Sequence, residues 1–203
     1  MKLYITKGSP YARIVRVVVL EKDLADRVEV ISAKTRTTDS PYYNINPSGR
    51  VPYLVCDDGL GLEDSALICS YLDNLDGKPM LALPAGAQGF EARRLEALMR
   101  SMLDGMAVLG REKWRPVNEQ SPKIVLHETD RAKRLLGLWE RGIDDPVFHG
   151  PLNMVQIVMG CTLGFADLIP EFEWRAGHPK LDAWFEGISE RDSFVETAPP
   201  VHA

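Results

Sequence analysis

Three short stretches of this chain carry residue types whose order suits the binding of a small peptide-like anion. They are Ser9-Pro10-Tyr11-Ala12-Arg13, Asn46-Pro47-Ser48-Gly49-Arg50-Val51-Pro52-Tyr53-Leu54 and Glu63-Asp64-Ser65-Ala66-Leu67-Ile68. Ser9 stands before a proline and an apolar run. A helix beginning there puts the hydroxyl at the N-cap, where its oxygen accepts from an orphan N–H, while proline at the first helical position needs no such partner. The same hydroxyl, turned toward a ligand, adds to the positive end of the helix dipole in stabilising an anion. If that anion is a thiolate, the demand is modest. A free thiol has a pKa of about 8.5, each unit of depression needs about 1.4 kcal/mol, and one charge-assisted hydrogen bond contributes roughly 1.5–3 kcal/mol. Spacing alone leaves the cap and the anion donor both open.

Pro52 reads either as a strand-edge proline, which needs no N–H there, or as the second residue of a cis Val51-Pro52 bond. The cis form turns the N–H and C=O of Val51 toward an extended peptide ligand. Asp64 and Ser65 either cap the helix that follows or act on a ligand, Asp64 taking an ammonium while Ser65 and its N–H hold a carboxylate. No histidine and carboxylate are spaced to activate Ser9 as a nucleophile, which disfavours a serine hydrolase. Cys56, Cys69 and Cys161 are odd in number, far apart and set among apolar residues, so they read as reduced, buried thiols. His127, His149, His178 and His202 show no metal-ligand spacing, and no metal is expected.

The elements that must position these residues follow from periodicity. Strands are expected at Lys2–Thr6, Val28–Ala33, Val51–Asp57 and Gly59–Leu62, with helices at Tyr11–Lys22 and Asp64–Leu75. The order is β-α-β followed by β-β-α. Beyond Asp76-Gly77-Lys78-Pro79 and Leu83-Pro84-Ala85-Gly86 the pattern turns wholly helical, with helices at Gln88–Lys113, Pro122–Arg141, Asn153–Leu163 and His178–Glu190. The Asn153–Leu163 segment is apolar on all sides, so it is expected at the centre of its domain. At 203 residues, 45% of them hydrophobic, the chain has the apolar content for one large domain or two modest ones, and the change of pattern divides it at 1–80 and 85–203. A net charge of −5 argues against nucleic acid or an anionic membrane surface as partner. The opening Met-Lys-Leu-Tyr-Ile-Thr is too short for a secretory h-region and no apolar run approaches a bilayer span, so a cytoplasmic location is expected.

Taken together, the three motifs resemble the glutathione S-transferase superfamily, and the chain is similar to its bacterial serine-type members over nearly its whole length. The resemblance rests on Ser9-Pro10-Tyr11-Ala12-Arg13-Ile14-Val15-Arg16, on Asn46 through Leu54, and on Asp64-Ser65-Ala66-Leu67-Ile68-Cys69-Ser70-Tyr71-Leu72. It extends to Trp174-Arg175-Ala176-Gly177-His178-Pro179-Lys180-Leu181-Asp182-Ala183-Trp184. It implies a thioredoxin-like α/β N-terminal domain that binds glutathione as co-substrate, an all-helical C-terminal bundle, and a homodimer. It also assigns roles. Ser9 is implied as the thiolate-stabilising residue, Val51 as the contact for the cysteinyl peptide unit ahead of cis Pro52, and Asp64 with Ser65 as the holders of the γ-glutamyl end. Lys34 and Arg50 are implied as contacts for the glycyl carboxylate, against a reading of both as solvated side chains.

Two departures from the family pattern stand out. Gly164-Phe165-Ala166-Asp167 carries glycine where the family's helix N-cap has Ser or Thr, and Arg191-Asp192-Ser193 lacks the proline common between its Arg and Ser. The resemblance places a small hydrophobic electrophile between the loop near Gly8–Tyr11 and the long helix of the second domain, making Tyr11, Met102, Met106 and Trp114 candidates for its pocket. Read alone, a Met or aromatic stripe at helical spacing is also what a core looks like. The expected activity is conjugation of glutathione to an electrophile, with peroxidase or dehalogenase chemistry and a non-catalytic binding or stress-regulatory role as alternatives. Disulfide reduction is disfavoured because Ser9 stands where that chemistry needs a cysteine.

Overall fold

A computed structural model describes residues 1–81, 83 and 86–200, with the backbone alone at residue 88. Pro84 and Ala85 of the expected interdomain boundary and the chain end at 201–203 lie outside the described residues. The chain divides into two compact units, Met1–Ala82 together with Asp192–Val201, and Leu83–Arg191.

The first unit is built on four strands, β1 (Lys2–Ile5), β2 (Glu29–Ser32), β3 (Tyr53–Val55) and β4 (Gly61–Leu62), in the sheet order β2-β1-β3-β4. β1 runs parallel to β2 and antiparallel to β3, and β3 is antiparallel to β4. The parallel pair requires a crossover, which α1 (Pro10–Glu21) supplies. Alternation along β1 buries Leu3 and Ile5, and Leu3 faces Leu54 across the ladder. Ala12, Ile14, Val15, Val17 and Val18 are fully buried on α1, so tertiary packing overrides the weak helix preference of its β-branched residues. The helix α2 (Ser65–Asn74) packs against α1. Strands β3 and β4 are shorter than expected: Val51-Pro52 precedes the ladder, and Asp58 through its side chain organises the turn before Leu60.

At the far ends of α1 and α2 a buried ion pair joins them. Lys22 Nζ lies 3.6 Å from Asp73 and 3.3 Å from Asp76, with the side chains of Lys22 and Asp73 only 2% and 5% exposed. Asp73 also accepts from the backbone N–H groups of Met80 and Leu81, so the pair fixes the last described turn of the first unit.

The second unit contains α3 (Gly86–Lys113), α4 (Pro122–Gly142), α5 (Met154–Ala166) and α6 (Pro179–Ser189). α5 is buried along its entire length, as its uniformly apolar sequence requires. Arg175 braces its C-terminal end: the guanidinium pairs with Asp167, Asp182 and Glu186 and stacks over Trp174 and Phe185. Burial opposes that charge, but the hydrogen bonds to Asp167, Glu186 and Asp182 outweigh it and hold the group protonated.

Two expectations need correction. The Gly164 motif does not begin a helix. Gly164 is interior to α5, whose N-cap is Asn153: its Oδ1 accepts from Val155 N–H at 3.0 Å and from Gln156 N–H at 3.2 Å. Gln156 at the third helical position reaches back to the carbonyls of Val147, Gly150 and Pro151, a variant of the capping box. Secondly, the segment after Arg191, expected within the helical domain, belongs with the first unit. α7 (Asp192–Glu196) packs on α1 because Arg13 and Arg16 donate to the carbonyls of Phe194, Glu196 and Thr197, and Ser193 donates to Glu21.

Candidate functional site

The sheet register gathers the motifs of the first unit at one end. β1 runs toward that end and stops at Ile5, four residues before Ser9. Tyr4 pairs with Tyr53 at the last rung of the antiparallel ladder, so Val51-Pro52 enters β3 at the end where β1 stops. β4 pairs Leu62 with Leu54, so the chain leaving β4 through Glu63 reaches Asp64 at that same end of the sheet. β2, parallel to β1, delivers Ala33 and Lys34 to the same end, and Ala33 N–H donates to Ile5 O at 2.8 Å. Ligands of open α/β sheets bind at such carboxyl ends of parallel strands.

Ser9 is the N-cap of α1. Its backbone is extended at φ −80° and ψ 118°, its N–H donates to Thr6 O, and Pro10 follows at the first helical position. Ala12 N–H donates to Ser9 Oγ at 3.3 Å. That bond uses an acceptor lone pair and leaves the hydroxyl hydrogen for donation. The cap and the anion donor are thus compatible roles of one side chain, and the half-buried position of Ser9 leaves the group reachable.

The Val51–Pro52 peptide is cis. Among the described residues no hydrogen bond engages the N–H or C=O of half-buried Val51. The loop that presents it is held by the side chains of Tyr42, Asn46, Ser48 and Glu63, none of which carries a sequence motif of its own. The hydroxyl of buried Tyr42 donates to Arg50 O, and Asn46 Nδ2 donates to Arg50 O at 3.0 Å and to Glu63 Oε2 at 2.7 Å. Ser48 donates to the same Glu63 oxygen while its N–H donates to Asn46 Oδ1. Glu63 therefore ties the second motif directly to the third. The Asn46-Pro47 pair signalled this turn, and the acid beside Asp64 was its other half. Burial raises the Tyr42 pKa above the usual tyrosine value; the Glu63 charge adds to this, and the hydrogen bond from Asn46 opposes it. Gly49 sits at φ +67°, and a Cβ there would meet Tyr43 Cε1 at 2.8 Å, so both backbone and space demand glycine.

Asp64 is the N-cap of α2, its Oδ1 accepting from Ala66 N–H at 2.6 Å, and Ser65 at the first helical position is 4% exposed. Lys34 and Arg50 are exposed, and both contribute backbone carbonyls to the loop: Ser40 donates to Lys34 O. Tyr11 lies in the first turn of α1. The remaining pocket candidates are in the second unit, where Met102 and Met106 are fully buried on α3 and Trp114 packs edge-on against Phe165 at 5.6 Å. Cys56, Cys69 and Cys161 are buried, and among the described residues none forms a disulfide. Among the described residues no group of three or more His, Cys, Asp or Glu is arranged to hold a metal ion, and no helix is long and apolar enough to cross a membrane.

A four-stranded mixed sheet with α1 and α2 starting at one end is followed in sequence by a helical unit, a two-part architecture that comparison with known proteins assigns to one family. Residues 8–75 match the family described as Glutathione S-transferase, N-terminal domain, and residues 94–187 match Glutathione S-transferase, C-terminal domain. The chain belongs to the glutathione S-transferase family. A family member from Pseudomonas fluorescens Pf-5, solved with S-(propanoic acid)-glutathione, superposes with a TM-score of 0.85 at 30% identity, over 99% of this chain and 100% of that one. The Pf-5 form with bound glutathione gives a TM-score of 0.87 at 29% identity, over 98% of this chain and 99% of that one. Among curated proteins, the chain is 28% identical to the uncharacterized GST-like protein YibF of Escherichia coli (strain K12), over 98% of this chain and 99% of that one. It is 27% identical to a stringent starvation protein A homolog of Histophilus somni, over 97% and 89%.

Proposed function

We propose that this protein is a serine-type glutathione transferase that binds glutathione at the end of the first unit's sheet and activates its thiol for attack on a hydrophobic electrophile. The observation that carries this reading is the spare donor of Ser9, a hydroxyl that caps α1 with its lone pair and keeps its hydrogen for a thiolate. Val51 pairs with the cysteinyl peptide unit through its unengaged N–H and C=O. Asp64 takes the γ-glutamyl ammonium, Ser65 the adjoining carboxylate, and Lys34 and Arg50 the glycyl carboxylate. Tyr11 and, in the second unit, Trp114 are the candidates for the electrophile, whereas Met102 and Met106, fully buried on α3, belong to the core of that unit.

In the reaction the Ser9 O–H donates to the sulfur, the thiol proton leaves to solvent, and the sulfur forms a bond to the electrophilic carbon as its leaving group departs. Thiolate stabilisation and proximity account for the acceleration, with no covalent enzyme intermediate. We place this activity in cytoplasmic detoxification, carried out by a homodimer. The bound glutathione of the Pf-5 relative supports the co-substrate. The similarity to a stringent starvation protein A homolog favours a second reading, a stress-regulatory binding protein on the same fold.

The deciding measurement is the titration of the bound glutathione thiol by ultraviolet difference absorbance, in wild type and Ser9→Ala. A depressed wild-type pKa that rises in the variant, with turnover lowered and binding nearly retained, is expected. An identical pKa in both removes Ser9 from the mechanism and moves attention to Tyr4, Thr6 or Tyr11 as donors. Binding without turnover of any generic electrophile favours the regulatory reading.

A further inference from the structure

Arg13 lies on α1 four residues after Ser9 and is 7% exposed, a burial that arginine rarely reaches without a carboxylate partner. Its Nη2 donates to Phe194 O at 3.1 Å, and its guanidinium carbon sits 5.5 Å from the centroid of the Phe194 ring. Its Nε has no hydrogen-bond partner among the described residues. The seat is therefore made of a carbonyl dipole and a ring face, both of which hold a cation without neutralising it.

The titratable and charged groups around this seat come from α1 itself and from the two helices packed against it. On α1 they are Tyr11, Arg16 and Glu21; on α2 they are Cys69, Tyr71 and Asp73; on α7 they are Asp192 and Glu196. Glu21 accepts from Ser193, Asp73 pairs with Lys22, and Arg16 donates to the carbonyls of Thr197 and Glu196. Among the described residues, none of these carboxylates forms an ion pair with Arg13. A cation placed in low dielectric and left without a counter-ion is costly, and its field reaches farther than that of a neutralised pair.

We infer that Arg13 is a second source of thiolate stabilisation, acting through its field and not by contact, with α7 as the clamp that keeps it dry. Residues four apart lie on the same helical face, and helical side chains lean toward the N-terminus, which here is the Ser9 end. The charge adds to the helix dipole at the place where the sulfur is to be ionised. Ser9 supplies the directional donor, and Arg13 supplies a fixed positive potential behind it. This inference rests on the glutathione reading above, and its test separates the two.

The test measures the apparent pKa of the bound glutathione thiol in wild type, Ser9→Ala, Arg13→Met and Arg13→Lys, with glutathione affinity read in parallel by calorimetry. Arg13→Met, which keeps bulk and loses charge, is expected to raise the pKa by about half to one unit, a roughly three- to tenfold loss of thiolate at pH below the pKa. Arg13→Lys, which keeps the charge and loses the planar geometry, is expected to restore most of the depression. Equal pKa values for wild type and a folded Arg13→Met overturn the inference, as does a Lys variant that behaves like Met, since packing alone then explains the residue. Should Arg13→Met not fold, Phe194→Ala admits water to the seat and is expected to raise the pKa by a smaller amount; no rise there also counts against it. A wild-type thiol with an ordinary pKa sinks the glutathione reading itself, whereas a depressed value sensitive to Ser9 and insensitive to Arg13 sinks the present inference alone.

Discussion

The starts of α1 and α5 solve the same problem and end with opposite chemistry. Both helices open on a polar cap that accepts from orphan N–H groups. At α5 the cap is consumed by the fold: Asn153 Oδ1 takes two N–H donors, Nδ2 donates to the carbonyls of Val147 and Pro151, and Gln156 closes the turn from the inside. At α1 the cap takes one N–H and retains a donor, at a half-buried position beside an open end of the sheet. A helix start becomes chemically useful when its cap is under-used. The identity of the capping residue matters less than the number of its valences that the protein occupies.

That contrast can be broken from either side. The largest effect is expected from Ser9→Ala, which should lower turnover about ten- to a hundredfold through the lost donor to sulfur, while thermal unfolding shows a loss of only about 1 kcal/mol. Asn153→Ala should do the reverse, lowering stability by about 2 kcal/mol in denaturant unfolding with the bound-thiol pKa unchanged. A shifted thiol pKa in the Asn153 variant would mean that the two caps are not independent. Asp64→Asn keeps a good cap on α2 and removes a charge, so glutathione affinity by calorimetry should weaken about tenfold while the melting temperature holds.

Tyr42→Phe gives the smallest effect, about 1 kcal/mol, and sharpens the account of the loop before Val51. The folded-state pKa of Tyr42 is raised, so its contribution is fully present below the ordinary tyrosine value of about 10 and is lost as pH rises through the higher folded value. Stability measured across alkaline pH should fall less steeply in the Phe variant.

The succession of elements along the first unit and the buried α5 were legible because each rests on local periodicity: Leu3 and Ile5 alternate, and α5 has no polar face. The convergence of Ser9, Val51 and Asp64 was legible only through the family resemblance, since it depends on strand register. The support for that site was hidden for a different reason. Tyr42 and Asn46 act on the backbone carbonyl of Arg50, and a carbonyl carries no sequence signature. Arg13 and Arg16 likewise act on backbone carbonyls, those of Phe194, Glu196 and Thr197, so nothing in Asp192–Glu196 announced that the segment returns to the first unit. The expectation at Gly164 came from the family's N-cap pattern, whereas Asn153-Met154-Val155-Gln156 directly before an apolar run, where the helix was also expected, is the N-terminal signal the fold uses.

The Lys22–Asp73 pair has an engineering consequence. Because Asp73 grips the amides of residues 80 and 81, the polypeptide is stapled at its point of departure from the first unit. Extra residues spliced in between 78 and 81 would pull those amides away and strand a desolvated carboxylate beside an ammonium, so that stretch is a poor place for permuted termini or a grafted tag.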